Sequence, residues 1–152
     1  MNELNWGIIG CGNVTEVKSG PAFNKVPHSH LHAVMRRDAA LAADYAKRHG
    51  VPQWYADATQ LINDPVVNAI YIATPPASHE EYALAAIAAG KPVYLEKPMA
   101  LTAAAARRIA TAAKVKNVKL SVAHYRRQQP LYQYVRKCVK ENKLGDIRAV
   151  AL

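Results

Sequence analysis

Cysteine is scarce in this 152-residue chain, and the two present, Cys11 and Cys138, stand far apart. That scarcity excludes a disulfide-stapled scaffold, and neither thiol belongs to a metal-ligand spacing. The histidines show no such spacing either, so no metal site is expected. No apolar run approaches the roughly 18 residues of a membrane span. The opening Met1–Trp6 carries an acid and no basic stretch, which excludes a secretory signal. Low-complexity linkers and solenoid-length repeats are also missing. What is present is 51% hydrophobic and 20% charged, which excludes wholesale disorder and suffices for about one domain. A soluble, cytoplasmic globular protein is the expectation.

Acids are scarce in one half only. Residues 1–76 hold six basic and six acidic side chains, whereas the remainder holds 14 basic and five acidic. The whole net charge of +9 therefore sits in the second half, most densely between Lys97 and Arg148. Such a half could serve an anionic cofactor, nucleic acid or an acidic partner surface. Its basic residues are spread over strands, helices and loops with no recognition module, so nucleic acid is not an expected partner.

Strand and helix signals alternate. Short apolar runs at 5–10, 32–35, 69–73, 93–95 and 119–123 read as strands covered on both faces. Between them lie helices with readable ends. Asp38 caps 39–49 before Gly50, and Asp57 opens a short helix before Asp64-Pro65. Ser78 and Glu81 have capping-box spacing before a helix ending at Gly90, and Thr102 caps 103–114. This order predicts an α/β fold, a Rossmann-type doubly wound parallel sheet in three α/β/α layers. The tail departs from it: residues 128–143 read as a basic amphipathic helix and 147–152 as a further strand. The expectation is a Rossmann domain over 1–123 and, over 124–152, the start of a second α/β domain, cut short.

The chemistry concentrates where strands end. Gly10-Cys11-Gly12-Asn13-Val14 follows the first strand; Gly10 permits a tight turn, and Gly12 lets the backbone approach a pyrophosphate. The helix start that follows supplies free N–H groups. Thr15 occupies the third glycine position of the usual pattern, so looser helix–strand packing is expected there. After the second strand come Arg36 and Arg37, where an arginine accommodates the 2′-phosphate of NADP and an acid would bind the ribose of NAD. NADP is favoured, with NAD the alternative, and a solvated loop is the bland reading of both arginines. Thr74-Pro75-Pro76 with His79, and Glu96-Lys97-Pro98, follow the next two strands.

Together these segments, with Ala89-Gly90-Lys91-Pro92-Val93, Tyr125-Arg126-Arg127 and Leu144-Gly145-Asp146-Ile147, resemble the glucose–fructose oxidoreductase/inositol dehydrogenase/MocA family over essentially the whole chain. The resemblance implies an NAD(P)-dependent oxidoreductase acting on a hydroxyl or carbonyl carbon of a sugar, polyol or related small molecule. Lys97 matches the family's catalytic lysine, whose ammonium stabilises a developing alkoxide or relays its proton. Glu96 matches a family residue that helps position the nicotinamide end of the cofactor, and Pro98 one that shapes the turn. Gly10, Gly12, Asn13, Val14, Arg36, Arg37, Thr74, Pro75, Pro76, His79, Arg126 and Arg127 complete the expected cofactor contacts. Family members run to well over twice this length, and their substrate domain carries an Asp/His pair working with the lysine. Turnover by these 152 residues alone is therefore not expected, and a homo-oligomer is expected of the full-length protein. A non-catalytic nicotinamide-sensing protein on the same fold is the alternative.

Overall fold

Six strands, all parallel, set the architecture of the computed structural model, which describes residues 3–150. They are β1 (Leu4–Ile9), β2 (Ser29–Met35), β3 (Gln53–Tyr55), β4 (Ala69–Ile72), β5 (Val93–Leu95) and β6 (Leu120–Val122). Their order across the sheet is β3-β2-β1-β4-β5-β6, so the winding reverses between β1 and β4. Five α-helices connect or follow them: α1 (Ala39–His49), α2 (Ala58–Asn63), α3 (His79–Ala88), α4 (Ala103–Val115) and α5 (Pro130–Lys140). Parallel strands require crossovers, and these bring every strand's carboxyl end to one edge of the sheet.

Strand alternation divides the core in two. Ile9, Ile70, Ile72 and Leu95 pack with Leu61 of α2, Ile87 of α3 and Ile109 of α4 on one face. Ile8, Val34 and Tyr71 pack with Tyr45 and Ala46 of α1 on the other. Both faces are apolar, as a sheet covered by helices on each side requires. β3 has no apolar run: Gln-Trp-Tyr joins the edge of β2 by backbone pairing from Ala33↔Gln53 to Met35↔Tyr55.

Of the four helix starts with a capping residue expected from the sequence, three are capped as expected. Asp38 accepts from Leu41 N at 3.0 Å, Asp57 from Thr59 N at 2.8 Å and Thr102 from Ala105 N at 3.1 Å. Gly50 closes α1 with φ 63°, a left-handed conformation glycine adopts at little cost. Ser78 does not cap α3. Its hydroxyl donates instead to Thr74 Oγ1 at 2.9 Å and Pro75 O at 3.1 Å, and α3 is entered through a turn of 3-10 helix at Pro76–Ser78.

The tail also differs from expectation. α5 is a helix as anticipated, but residues 147–150 are irregular and pair with nothing among the described residues; 151 and 152 lie outside them. A strand gains its hydrogen bonds from a neighbour, and β6 already forms the sheet's edge without taking up this segment.

Candidate functional site

The turn after β1 is built from two glycines that do different things. Gly10 has φ 95°, and its amide donates to Met35 O of β2 at 2.9 Å. A Cβ on Gly10 would lie 2.7 Å from Thr74 Cγ2 and 2.9 Å from Thr74 N, so the segment after β4 can pack this closely only on glycine. A Cβ on Gly12 would meet nothing within 4 Å. Gly10 thus serves the fold, whereas Gly12 leaves backbone open to an approach from outside. Cys11 between them is fully buried, and burial pushes its thiol up to about 11. It is a small packing residue rather than a nucleophile.

Asn13 and Val14 are exposed at the head of a very short helix, Thr15–Ser19, wound wide so that Gly20 N bonds back to Thr15 O at 3.1 Å. The expected loose packing at Thr15 is not found. Thr15 is fully buried and its hydroxyl donates to Gly12 O at 2.7 Å, tying the helix to the turn. The tight approach falls instead at Gly20, where a Cβ would run into Tyr45 Oη and Thr15 O. Tyr45 Oη donates to that same Thr15 carbonyl at 2.9 Å. One residue further, Glu16 accepts from Arg48 Nη1 and Nη2 at 2.8 and 2.7 Å, and His49 Nε2 lies 2.8 Å from Glu16 Oε2. The Arg48 guanidinium holds the Glu16 carboxyl down at about 2. The carboxyl-terminal half of α1 therefore clamps the glycine segment, a role not singled out from the sequence.

Arg36 and Arg37 are both exposed beyond β2. Arg36 Nη1 reaches Cys11 O at 3.4 Å, so its guanidinium lies against the glycine turn. Asp38 is occupied as the cap of α1, which leaves the arginines as the charged side chains at this strand end.

The ends of β4 and β5 carry the remaining segments. Thr74, Pro75 and Pro76 lie partly exposed after β4. His79 is fully buried, with Nε2 2.8 Å from Thr74 O and Nδ1 2.9 Å from Pro98 O. Both ring nitrogens face carbonyl acceptors, so His79 staples the post-β4 segment to the turn after β5. Buried this way, His79 presents no atom to a ligand, which corrects its expected place among direct cofactor contacts. Glu96 N donates to Ile72 O at 2.9 Å, and Glu96 Oε1 accepts from the buried Tyr71 Oη at 2.6 Å. Its other oxygen accepts from Lys97 N at 3.1 Å. Lys97 and Pro98 are exposed and joined by a cis peptide bond. Among the described residues no carboxylate lies within 4.0 Å of the Lys97 ammonium, which stands free at the sheet edge.

Arg126 and Arg127 follow β6 in a turn of 3-10 helix, Tyr125–Gln128, and are exposed on the edge shared with Gly12 and Lys97. Two surface concavities of about 470 and 250 Å³ lie elsewhere, on the outer faces of α4 and α5. The strand-end site is an open edge rather than a closed cavity. Among the described residues no group of His, Cys, Asp and Glu could hold a metal ion, and no helix is long and apolar enough to cross a membrane.

A doubly wound sheet with an open glycine turn beside its switch point defines a dinucleotide-binding Rossmann domain. The family model for oxidoreductases with an NAD-binding Rossmann fold matches residues 4–124. The chain belongs to that family, the glucose–fructose oxidoreductase/inositol dehydrogenase/MocA group. It is 53% identical over 146 residues to an oxidoreductase of Formosa agariphila, covering 96% of this chain and 46% of that one. Scyllo-inositol dehydrogenase from Lactobacillus casei, solved with NAD(H) and scyllo-inositol, superposes with a TM-score of 0.85 at 26% identity, over 96% of this chain and 43% of that structure. A 3-ketoreductase from Actinomadura kijaniata, solved with TDP-benzene and NADP, gives 0.87 at 26% identity, over 97% and 46%. The chain thus spans less than half the length of these relatives.

Proposed function

We propose that these residues form the cofactor-binding part of an NAD(P)-dependent oxidoreductase working at a hydroxyl or carbonyl carbon of a small sugar- or polyol-like compound. The observation that carries the reading is the convergence, on one sheet edge, of the open Gly12 backbone and the free Lys97 ammonium. The residues present fit a dinucleotide. Gly10 and Gly12, with Asn13 and Val14, receive its pyrophosphate; Thr74, Pro75 and Pro76 line its middle; Glu96 and Pro98 border its nicotinamide end. Bound there, the nicotinamide supplies the hydride acceptor or donor. Lys97 meets the substrate oxygen, where a cation stabilises developing negative charge.

NADP is the favoured cofactor, because Arg36 and Arg37 bring two cations and no free acid to the ribose position. The solved relatives include both an NAD(H) and an NADP complex. Arg126 and Arg127 stand ready for the anionic cofactor or the substrate.

Residues 124–150 are read as the beginning of a second, substrate-selecting domain. Leu131, Tyr134 and Val135 present an exposed apolar stripe on α5, and on the sheet Ser121 of β6 is exposed beside the half-buried Tyr94. Both surfaces await cover. A cytoplasmic homo-oligomer remains the picture for the whole protein.

Titration with NADPH and NADH by calorimetry tests the cofactor. Tight binding of NADPH with weaker binding of NADH is expected. Binding of neither would sink the assignment, and a clear preference for NADH would overturn the reading of the two arginines. Turnover by a longer protein containing these residues separates an enzyme from a nicotinamide sensor.

A further inference from the structure

The turn that carries Lys97 is gripped from the buried side by a residue with no expected role. Tyr71 lies on β4 with no exposed surface, in a file of aromatic rings. Its ring stacks on Tyr94 at 5.4 Å and meets Phe23 at 5.3 Å, and Phe23 in turn meets Trp6 at 4.7 Å. Packing of this kind fixes the ring and leaves its hydroxyl little freedom. That hydroxyl emerges at the strand ends and donates to Glu96 Oε1 at 2.6 Å.

Glu96 is thereby held at both oxygens, one by Tyr71 and the other by the amide of Lys97. A carboxylate so held has one orientation, and it starts the turn on which Lys97 stands. We propose that Tyr71 is a positioning residue: it orients the Glu96 carboxylate so that the Glu96–Pro98 turn receives the nicotinamide end of the cofactor. This rests on the cofactor reading above and adds to it a residue that touches neither cofactor nor substrate. The bond is short and its acceptor is charged, the stronger class of hydrogen bond. A phenylalanine would fill the same aromatic space, so the hydroxyl's contribution can be separated from that of the ring.

The test is Tyr71→Phe in the whole chain, titrated by calorimetry with NADPH and with 2′,5′-ADP, which lacks the nicotinamide half. The expected result is about tenfold weaker NADPH binding, a loss at the low end for a hydrogen bond to a charged group. Binding of 2′,5′-ADP should not change. A purely structural hydroxyl would weaken both ligands alike, and that result overturns the proposal, as does unchanged NADPH binding. Glu96→Ala guards against misfolding of the first variant. It should reproduce the selective loss, and adding Tyr71→Phe to it should cost nothing more, since the tyrosine acts through the carboxylate. A double variant much weaker than Glu96→Ala alone overturns the proposal. Failure of the wild-type chain to bind NADPH or NADH overturns the cofactor reading and this proposal with it, whereas binding indifferent to Tyr71→Phe overturns this proposal alone.

Discussion

Gly10 and Gly12 stand two residues apart in one motif, and alanine at each should fail in a different way. At Gly10 the added methyl would lie 2.7 Å from Thr74 Cγ2 and 2.9 Å from Thr74 N, on a backbone with φ 95°. A left-handed conformation costs a non-glycine residue about 1–2 kcal/mol. Forcing apart a packed contact costs about 1–3 kcal/mol more. A loss near 3 kcal/mol corresponds to a fall in melting temperature of roughly 6–12 °C for a chain of this size. At Gly12 the methyl would meet nothing within 4 Å, and φ is not in the left-handed range. Gly12→Ala should therefore leave folding stability within about 0.5 kcal/mol of wild type. It would place a methyl where a pyrophosphate must touch the backbone, and NADPH affinity should drop at least about tenfold. Thermal unfolding by circular dichroism and calorimetric titration of both variants are the assays. If Gly12→Ala melts as early as Gly10→Ala, or binds NADPH like wild type, the division of labour between the two glycines is wrong.

The other predictions use the same logic. Glu16→Gln removes a carboxylate whose ordinary value of 4.5 is held down at about 2 by Arg48. A depressed acid stabilises above its unfolded value, and the gain disappears as pH falls through the folded one. Solvent screening at this partly exposed pair reduces the effect to about 1 kcal/mol. The wild-type advantage in chemical denaturation should thus be full at pH 7 and close between pH 4.5 and 2; a gap that stays open at pH 2 refutes the ion-pair account. Lys97→Ala, at an exposed side chain with no carboxylate within 4.0 Å among the described residues, should leave melting temperature and NADPH affinity nearly unchanged while abolishing turnover in a longer, active protein. Loss of fold would show that the lysine is structural. Cys11, buried with its thiol raised to about 11, should resist a thiol reagent at pH 8 until denaturant is added; labelling in the native chain would contradict its burial.

The strands and most helix ends were legible because each follows from local chemistry. An apolar run such as Ala69–Ile72 has little alternative in water to a doubly covered strand, and Asp38 or Thr102 before an alanine-rich stretch supplies the missing acceptor of a helix start. The site followed from the strands, since parallel order sends every strand end to one edge. β3 escaped because Gln53-Trp54-Tyr55 gains its place from pairing with β2, a long-range contact without a local pattern. The Ser78 cap failed because its hydroxyl had a nearer choice in Thr74, brought there by the Pro75-Pro76 turn. His79 could be located but not oriented. Whether its ring faces solvent or Thr74 O and Pro98 O depends on how two loops meet, which spacing does not encode.

The charge of the second half can now be divided by position. A crossover helix runs back from the strand's carboxyl end, so α4 starts near the site at Thr102 and carries Lys114 and Lys116 to the opposite edge. Arg108, midway along α4, is paired with Glu80 of α3 through both Nε and Nη2. Arg136, Lys137 and Lys140 are exposed on α5, beyond the last strand. A dinucleotide at the glycine turn would meet Arg36 and Arg37 from the electrically neutral first half and Lys97, Arg126 and Arg127 from the basic one. Net charge by half therefore misplaces the electrostatics of the site. The cations that the sheet topology brings to the strand-end edge come from both halves of the chain.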